Sequence, residues 1–179
     1  MSELTLEQRL QAVEDQLEIY ALIASHPPSA DTGADYYTRQ VYTTDGIFDL
    51  GDELEGARGN VAVAAITKTP GHQRAIASGL IHFTGLPFIE LRGDEAYVTS
   101  YLQILTPDPR GEPREVPNHG VTNGYRIHGV WANRWSLVRN SEGWKIKSRQ
   151  LRLLNGSDAG RQILEKALSR YRTGDAASA

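Results

Sequence analysis

The chain has no cysteine, which excludes disulfide frameworks, thiolate nucleophiles and sulfur-ligated metal sites together. It also has no basic surplus, since 19 Lys plus Arg stand against 22 Asp plus Glu for a formal charge of −3. Such a balance offers no field for a phosphate backbone, so nucleic acid is not an expected partner. Nowhere do eighteen apolar residues run together, and the start Met1-Ser2-Glu3-Leu4-Thr5-Leu6-Glu7 lacks the charged-then-apolar pattern of a leader. No membrane span and no export are expected, which predicts a cytoplasmic protein. A Gly-rich phosphate loop, a nucleophile elbow and closely spaced histidine pairs are all missing. The five histidines, His26, His72, His82, His119 and His128, stand singly, so no metal is expected.

What is present fits one domain spanning residues 1–179. Thr5 with Gln8 reads as a capping box. Behind it Leu6, Leu10, Val13, Leu17 and Tyr20 recur at alternating spacings of four and three, which predicts an amphipathic helix packing that stripe on the core. The helix is expected to stop at His26-Pro27-Pro28, because a residue before proline avoids helical dihedrals. A second helix over 33–42 and a third over 60–68 follow, around a turn bracketed by Gly51 and Gly56.

From residue 79 the composition turns to Ile, Val, Tyr, Trp and Thr, predicting strands over 79–91, 95–105, 126–139 and 144–154. Helices followed by a run of strands predict an α+β fold with an antiparallel sheet. The 106–125 connection is too long for a tight hairpin and is expected to be a lid or an ordered extension. A C-terminal helix is expected over 157–172, with Ile163, Leu164, Ala167, Leu168 and Tyr171 on its buried face, and a frayed tail over 173–179. Trp131, Trp135 and Trp144 are expected in the core. Lys145, Lys147, Arg149 and Arg152 alternate with smaller or apolar residues as a solvated strand face would, and Arg149 or Arg152 can alternatively curl inward.

With thiol chemistry excluded and neither a phosphate loop nor a metal-spaced histidine pair in the sequence, acid–base chemistry remains. His82 interrupts the apolar strand Leu80-Ile81-His82-Phe83-Thr84-Gly85, where it is either a satisfied histidine or a general base. Asp31, just past the two prolines, either caps the second helix or reaches across to a sheet residue and orients the imidazole. Strand alternation puts His82 and Thr84 on the inward face, with Ile81 and Phe83 opposite.

The order of motifs Asp31, Asp45-Gly46-Ile47-Phe48-Asp49, Gly56-Ala57-Arg58-Gly59, His82-Phe83, Leu137-Val138-Arg139 and Gly143-Trp144-Lys145-Ile146 resembles the SnoaL-like families of the nuclear-transport-factor-two-like superfamily. The resemblance covers about residues 6–154. It implies a cone, also called cystatin-like, in which a curved antiparallel sheet wraps around N-terminal helices and leaves a pocket in the hollow.

Within that superfamily the chain is most similar to the scytalone dehydratase and hexachlorocyclohexane dehydrochlorinase families. Both work with an Asp–His pair that matches Asp31 and His82, the histidine acting as base. Asn133 matches a substrate-contacting asparagine of the dehydratase. The dehydratase's carbonyl-polarising tyrosines match Ala30 and Leu50 here, its second histidine matches Asp108, and a tyrosine common in relatives is His26. The implied activity is a cofactor-independent lyase, of dehydratase or dehydrohalogenase type, or an isomerase. The implied substrate is a small apolar molecule contacted by Asn133. Beside it Thr84, inward with His82, is a candidate contact. His26 and Asp108, where the chain departs from the family pattern, are candidates for leaving-group protonation or substrate contact. A non-catalytic binding protein of the same fold, or a structural subunit like the β subunit of ring-hydroxylating dioxygenases, stands beside that reading. A homodimer or homotrimer is expected, burying Trp or Leu of the last strands.

Overall fold

The computed structural model describes residues 4–51 and 55–171. The chain runs α1 (Leu6–Ala24), α2 (His26–Asp31), α3 (Asp35–Val41), β1 (Tyr42–Asp49), β2 (Ala57–Arg58), α4 (Asn60–Ile66), α5 (Pro70–Ala77), β3 (Ile81–Thr84), β4 (Phe88–Arg92), β5 (Glu95–Pro107), β6 (Arg114–Val116), β7 (Gly120–Thr122), β8 (Tyr125–Asn140), β9 (Gly143–Leu153) and α6 (Asp158–Leu168), then a 3₁₀ turn at Ser169–Tyr171. The frayed tail expected over 173–179 and part of the Gly51–Gly56 turn lie outside the described residues.

The main sheet has the order β2-β1-β9-β8-β5-β3, with β4 also on β5. Every pairing is antiparallel except that of β1 with β9, which is parallel. The helices lie on its concave side, α6 packs on its opposite face, and Ile19, Ile23, Val98, Trp135, Leu137, Trp144 and Ile146 form the core.

The first helix starts at the expected capping box, with Thr5 and Gln8 exchanging hydrogen bonds. Its orientation is the reverse of the expected one. Leu6, Leu10, Val13, Leu17 and Tyr20 are all exposed, while Asp15, Ile19 and Ile23 are buried. The reason is Asp15: its carboxylate accepts from Arg139 Nη1 at 2.7 and 3.0 Å and from Trp144 Nε1 at 3.1 Å. A carboxylate partnered by a guanidinium and an indole can be buried, and it turns the less apolar face inward.

The helix expected over 33–42 is present as α3, and an unexpected short helix, α2, precedes it. Pro27 and Pro28 occupy the first turn of α2, where a missing N–H is not needed, so the chain re-enters a helix directly after Ser25. Asp31 therefore ends α2 and caps nothing. Ala34 holds the N-cap position of α3, without a side-chain hydrogen bond. Helix α5 was not expected, although Thr69 caps it by accepting from the His72 N–H and Pro70 begins it.

The strand expected over 79–91 divides into β3 and β4, which pair with opposite ends of the long β5. Pro87 lies between them and has no N–H for a ladder. The 106–125 connection is an ordered extension carrying the β6–β7 ribbon. In α6, Ile163 and Ala167 are buried as expected, but Leu168 and Tyr171 are exposed.

One irregularity decides the site. Ser136 pairs with Ser148 and Leu137 with Ile146, so Lys147 is an extra residue in β9. Such a bulge exchanges the two faces of a strand. Trp144 and Ile146 point inward before it, and Arg149, opposite Trp135, points inward after it. The solvated face expected for Arg149 is thereby overturned, and only Lys147 of that set is freely exposed.

Candidate functional site

A cavity of about 580 Å³ opens between the helices and the concave side of the sheet. Its walls are largely apolar, with Phe48, Leu102, Ile104, Trp131 and Leu151 from the strands and Val63 and Ile66 from α4. Into this surface project three histidines, His26, His72 and His82, together with Tyr42, Arg149 and Arg152.

His82 lies on β3, an edge strand, opposite Ile104. Its backbone N–H is free to donate to Asp31, at 3.1 Å to Oδ1 and 3.0 Å to Oδ2. The same carboxylate meets the ring, with Nδ1 at 2.5 Å from Oδ1. A carboxylate accepts, so Nδ1 carries the hydrogen and Nε2 the lone pair. Asp31 stands behind the ring, outside the cavity wall, so the ring edge presented to the cavity is the Nε2 edge. Among the described residues Nε2 has no protein hydrogen-bond partner.

Two further histidines flank this pair. His72, on α5, donates Nε2–H to the Ala30 carbonyl at 2.8 Å, and its ring centre is 6.2 Å from that of His82. His26 meets His82 edge-on at 5.6 Å and Trp135 at 5.3 Å. Burial holds the His26 imidazole well below the ordinary histidine range, and the charges of Arg149, His82 and His72 push the same way. His26 is therefore neutral at physiological pH. Its Nε2 is buried with no partner among the described residues.

Arg149 is 4% exposed and, among the described residues, has no carboxylate beside it. Its guanidinium lies over Trp135 at 4.3 Å and Phe48 at 4.9 Å, and Nε donates to Asn133 Oδ1 at 3.0 Å. Burial lowers it to about 10, which the Tyr42 hydroxyl partly opposes. It remains a cation at neutral pH. Nη2 is buried without an acceptor among the described residues, an arrangement whose desolvation cost an incoming anion or oxyanion would offset.

The other expected contacts fall elsewhere. Asn133 is fully buried behind Arg149 and does not line the cavity, because its amide oxygen is taken by that guanidinium. Thr84 shares the face of His82, but its hydroxyl is buried outside the cavity wall. Asp108 accepts from the Arg110 N–H at the base of the 106–125 extension, also away from the cavity. Ala30 and Leu50 do line it. Sequence reasoning missed His72, whose signal was the Thr69-Pro70 helix start, and Tyr42, which had none. Among the described residues no group of three or more His, Asp and Glu is placed to hold a metal.

The profile of the SnoaL-like domain matches residues 11–150. The chain belongs to the SnoaL-like family. Of solved structures, a nuclear-transport-factor-two-like protein with a cystatin-like fold from Novosphingobium aromaticivorans is 31% identical to it. That comparison covers 92% of this chain and 98% of the other with a TM-score of 0.78. ActVI-ORFA from Streptomyces coelicolor shares 16% identity over 78% of this SnoaL-like chain and 96% of its own, at a TM-score of 0.59. A Catenulispora acidiphila protein solved in complex with S-DNPA shares 19% identity over 80% and 96%, at 0.62. The last two are similar in fold alone. Among curated proteins none matches the chain in sequence. The cone of curved sheet and helices is thus the cystatin-like fold of this family, and no helix among the described residues is long and apolar enough to cross a membrane.

Proposed function

We propose that this SnoaL-like protein is a cofactor-independent lyase or isomerase acting on a small, mostly apolar carbonyl compound. The observation that carries the reading is the Asp31–His82 contact, 2.5 Å long, behind the wall of an apolar cavity that also holds a cation with no carboxylate beside it among the described residues. In the proposed reaction His82 Nε2 takes a proton from the carbon beside the carbonyl. The C–H electron pair moves into an enolate, whose oxygen accepts from Arg149. Asp31 stabilises the imidazolium through Nδ1–H.

Elimination then re-forms the carbonyl, makes a carbon–carbon double bond and expels a β substituent with its electron pair. Isomerisation instead returns the proton from His82 to a second carbon. Neutral His26 supplies a polar contact to a substrate oxygen or to the leaving group. No electrons are exchanged with an external carrier in either course. The cavity volume lies in the range of sites that enclose drug-sized organic ligands, and a relative of the same fold has been solved with one small molecule, S-DNPA.

A panel of β-hydroxy and β-halo ketones, followed by NMR in D₂O, tests this. Turnover or exchange of the α-proton is expected with the wild-type protein, falling by about 10²- to 10⁴-fold in His82→Ala. Equal rates in the two proteins would remove the general base. Ligands that bind the cavity equally in both, without turnover or exchange, would favour a binding protein.

A further inference from the structure

Among the described residues the stripe on α1 has no counterpart within the protomer. Leu6, Leu10, Val13, Leu17 and Tyr20 are 79, 56, 54, 66 and 46% exposed, and they face away from Asp15, Ile19 and Ile23, which anchor the helix to its own core. Spacings of four, three, four and three define a strict two-in-seven seam, narrower than the face a helix packs on a sheet. That geometry suits another helix. Of the tryptophans of the last strands, Trp135 and Trp144 are buried within the chain.

We infer that α1 is a self-association surface and that its occupant is the α1 of a second copy, lying parallel across a two-fold axis. The flanking charges choose the direction. With Leu10 and Leu17 at one seam position and Leu6, Val13 and Tyr20 at the other, Glu7 and Glu14 flank one side and Arg9 flanks the other. Parallel helices bring Arg9 of each copy beside Glu14 of its mate, twice by symmetry. Antiparallel registers that keep the seam bring Glu14 against Glu7 or Glu14 of the second copy, a like-charge contact.

An isolated coiled coil of this length, about 28 Å for 19 residues, would be marginal. Here the helix is already formed and held by the bonds from Arg139 and Trp144 to Asp15, so pairing does not carry the entropic cost of ordering it.

The absence of cysteine makes the test clean. In the full chain, Leu10→Cys is expected to form an intermolecular disulfide on mild oxidation, because identical seam residues meet in a parallel pair. Glu18→Cys, exposed but off the seam, should not. Sedimentation of the wild type should give a dimer, and Leu10→Glu with Leu17→Glu a monomer with unchanged circular dichroism. Arg9→Glu and Glu14→Arg should each weaken the dimer roughly tenfold, and the double exchange should restore it. A monomeric wild type, a dimer that survives the two Leu→Glu changes, or a dimer tightened by Glu14→Arg alone would overturn the inference.

Discussion

Arg139 and Arg149 stand on adjacent strands, both reach the concave side, and each lies over an indole ring, of Trp144 at 5.6 Å and of Trp135 at 4.3 Å. Their partners differ. Arg139 meets two carboxylates, Asp15 at 2.7 Å and Asp94 at 2.6 Å, and with them joins α1 to the closed end of the sheet. Among the described residues Arg149 meets neutral groups, the amide of Asn133 and the hydroxyl of Tyr42, and its Nη2 is left over. A compensated cation fastens elements together. One without a carboxylate, kept in an apolar cavity by ring faces, one amide and one hydroxyl, stores interaction for a ligand.

Replacing each arginine's support tests the contrast. The largest effect is expected from Arg149→Met, which keeps the stem and removes the charge. Turnover should fall by about 10²- to 10³-fold, the scale of losing a donor to a developing oxyanion, while urea unfolding shows no loss of stability. A destabilised Arg149→Met protein would break the comparison, because the guanidinium would then be structural.

The opposite signature is expected of Asp15→Asn. It removes the charge partner of Arg139 and weakens the acceptor of the Trp144 N–H, and urea unfolding should register a loss of about 2–3 kcal/mol. Binding of a cavity ligand by the folded protein should be unchanged.

A smaller effect follows from His26. Its folded-state pKa lies below the ordinary value of 6.5, so the unfolded chain binds the proton more readily. Stability is full above pH 6.5 and declines as pH falls from there through the folded value, with a slope no steeper than about 1.4 kcal/mol per pH unit. His26→Phe should flatten that decline in thermal melts. An unchanged slope would show that His26 is not what couples the cavity to pH.

The smallest effect belongs to the partly exposed pair Asp49 and Arg152, 2.8 Å apart. Arg152 holds the Asp49 carboxyl below its usual range, so the contribution is present above the unfolded carboxylate pKa and is lost as pH falls through the lowered one. Arg152→Gln should cost about 0.5–1 kcal/mol at neutral pH and little in acid, measured by urea unfolding at both.

Much of the fold was legible in sequence because its signals are local. The Thr5–Gln8 capping box, the β-branched and aromatic runs of β5, β8 and β9, and the Asn140–Gly143 turn each act within a few residues. The errors arose where a distant partner reversed a local preference. Nothing near Asp15 announces that Arg139 and Trp144 will allow it to be buried, and so the more apolar stripe of α1 was placed inward. Of the candidate site, Asp31 and His82 could be matched through resemblance, but Asn133 and Asp108, matched in the same way, and Thr84, placed inward by strand alternation, do not reach the cavity. His72 and Arg149 reached it without having been chosen as ligand contacts.

By itself the sequence determined that thiol chemistry is absent, where most helices and strands form, and that one histidine in an apolar strand and one aspartate after two prolines are the residues to watch. Those are properties of residue type and short-range spacing. Only the tertiary structure decided what faces what. Pairing β9 with β8 inserts Lys147 as a bulge, and that single extra residue turns Arg149 from the solvent side to the cavity. Closing α2 against the edge strand β3 brings the Asp31 carboxylate to both the backbone and the ring of His82. Side-chain direction in a strand depends on register, and register is set by the neighbouring strand, which may lie anywhere in the chain.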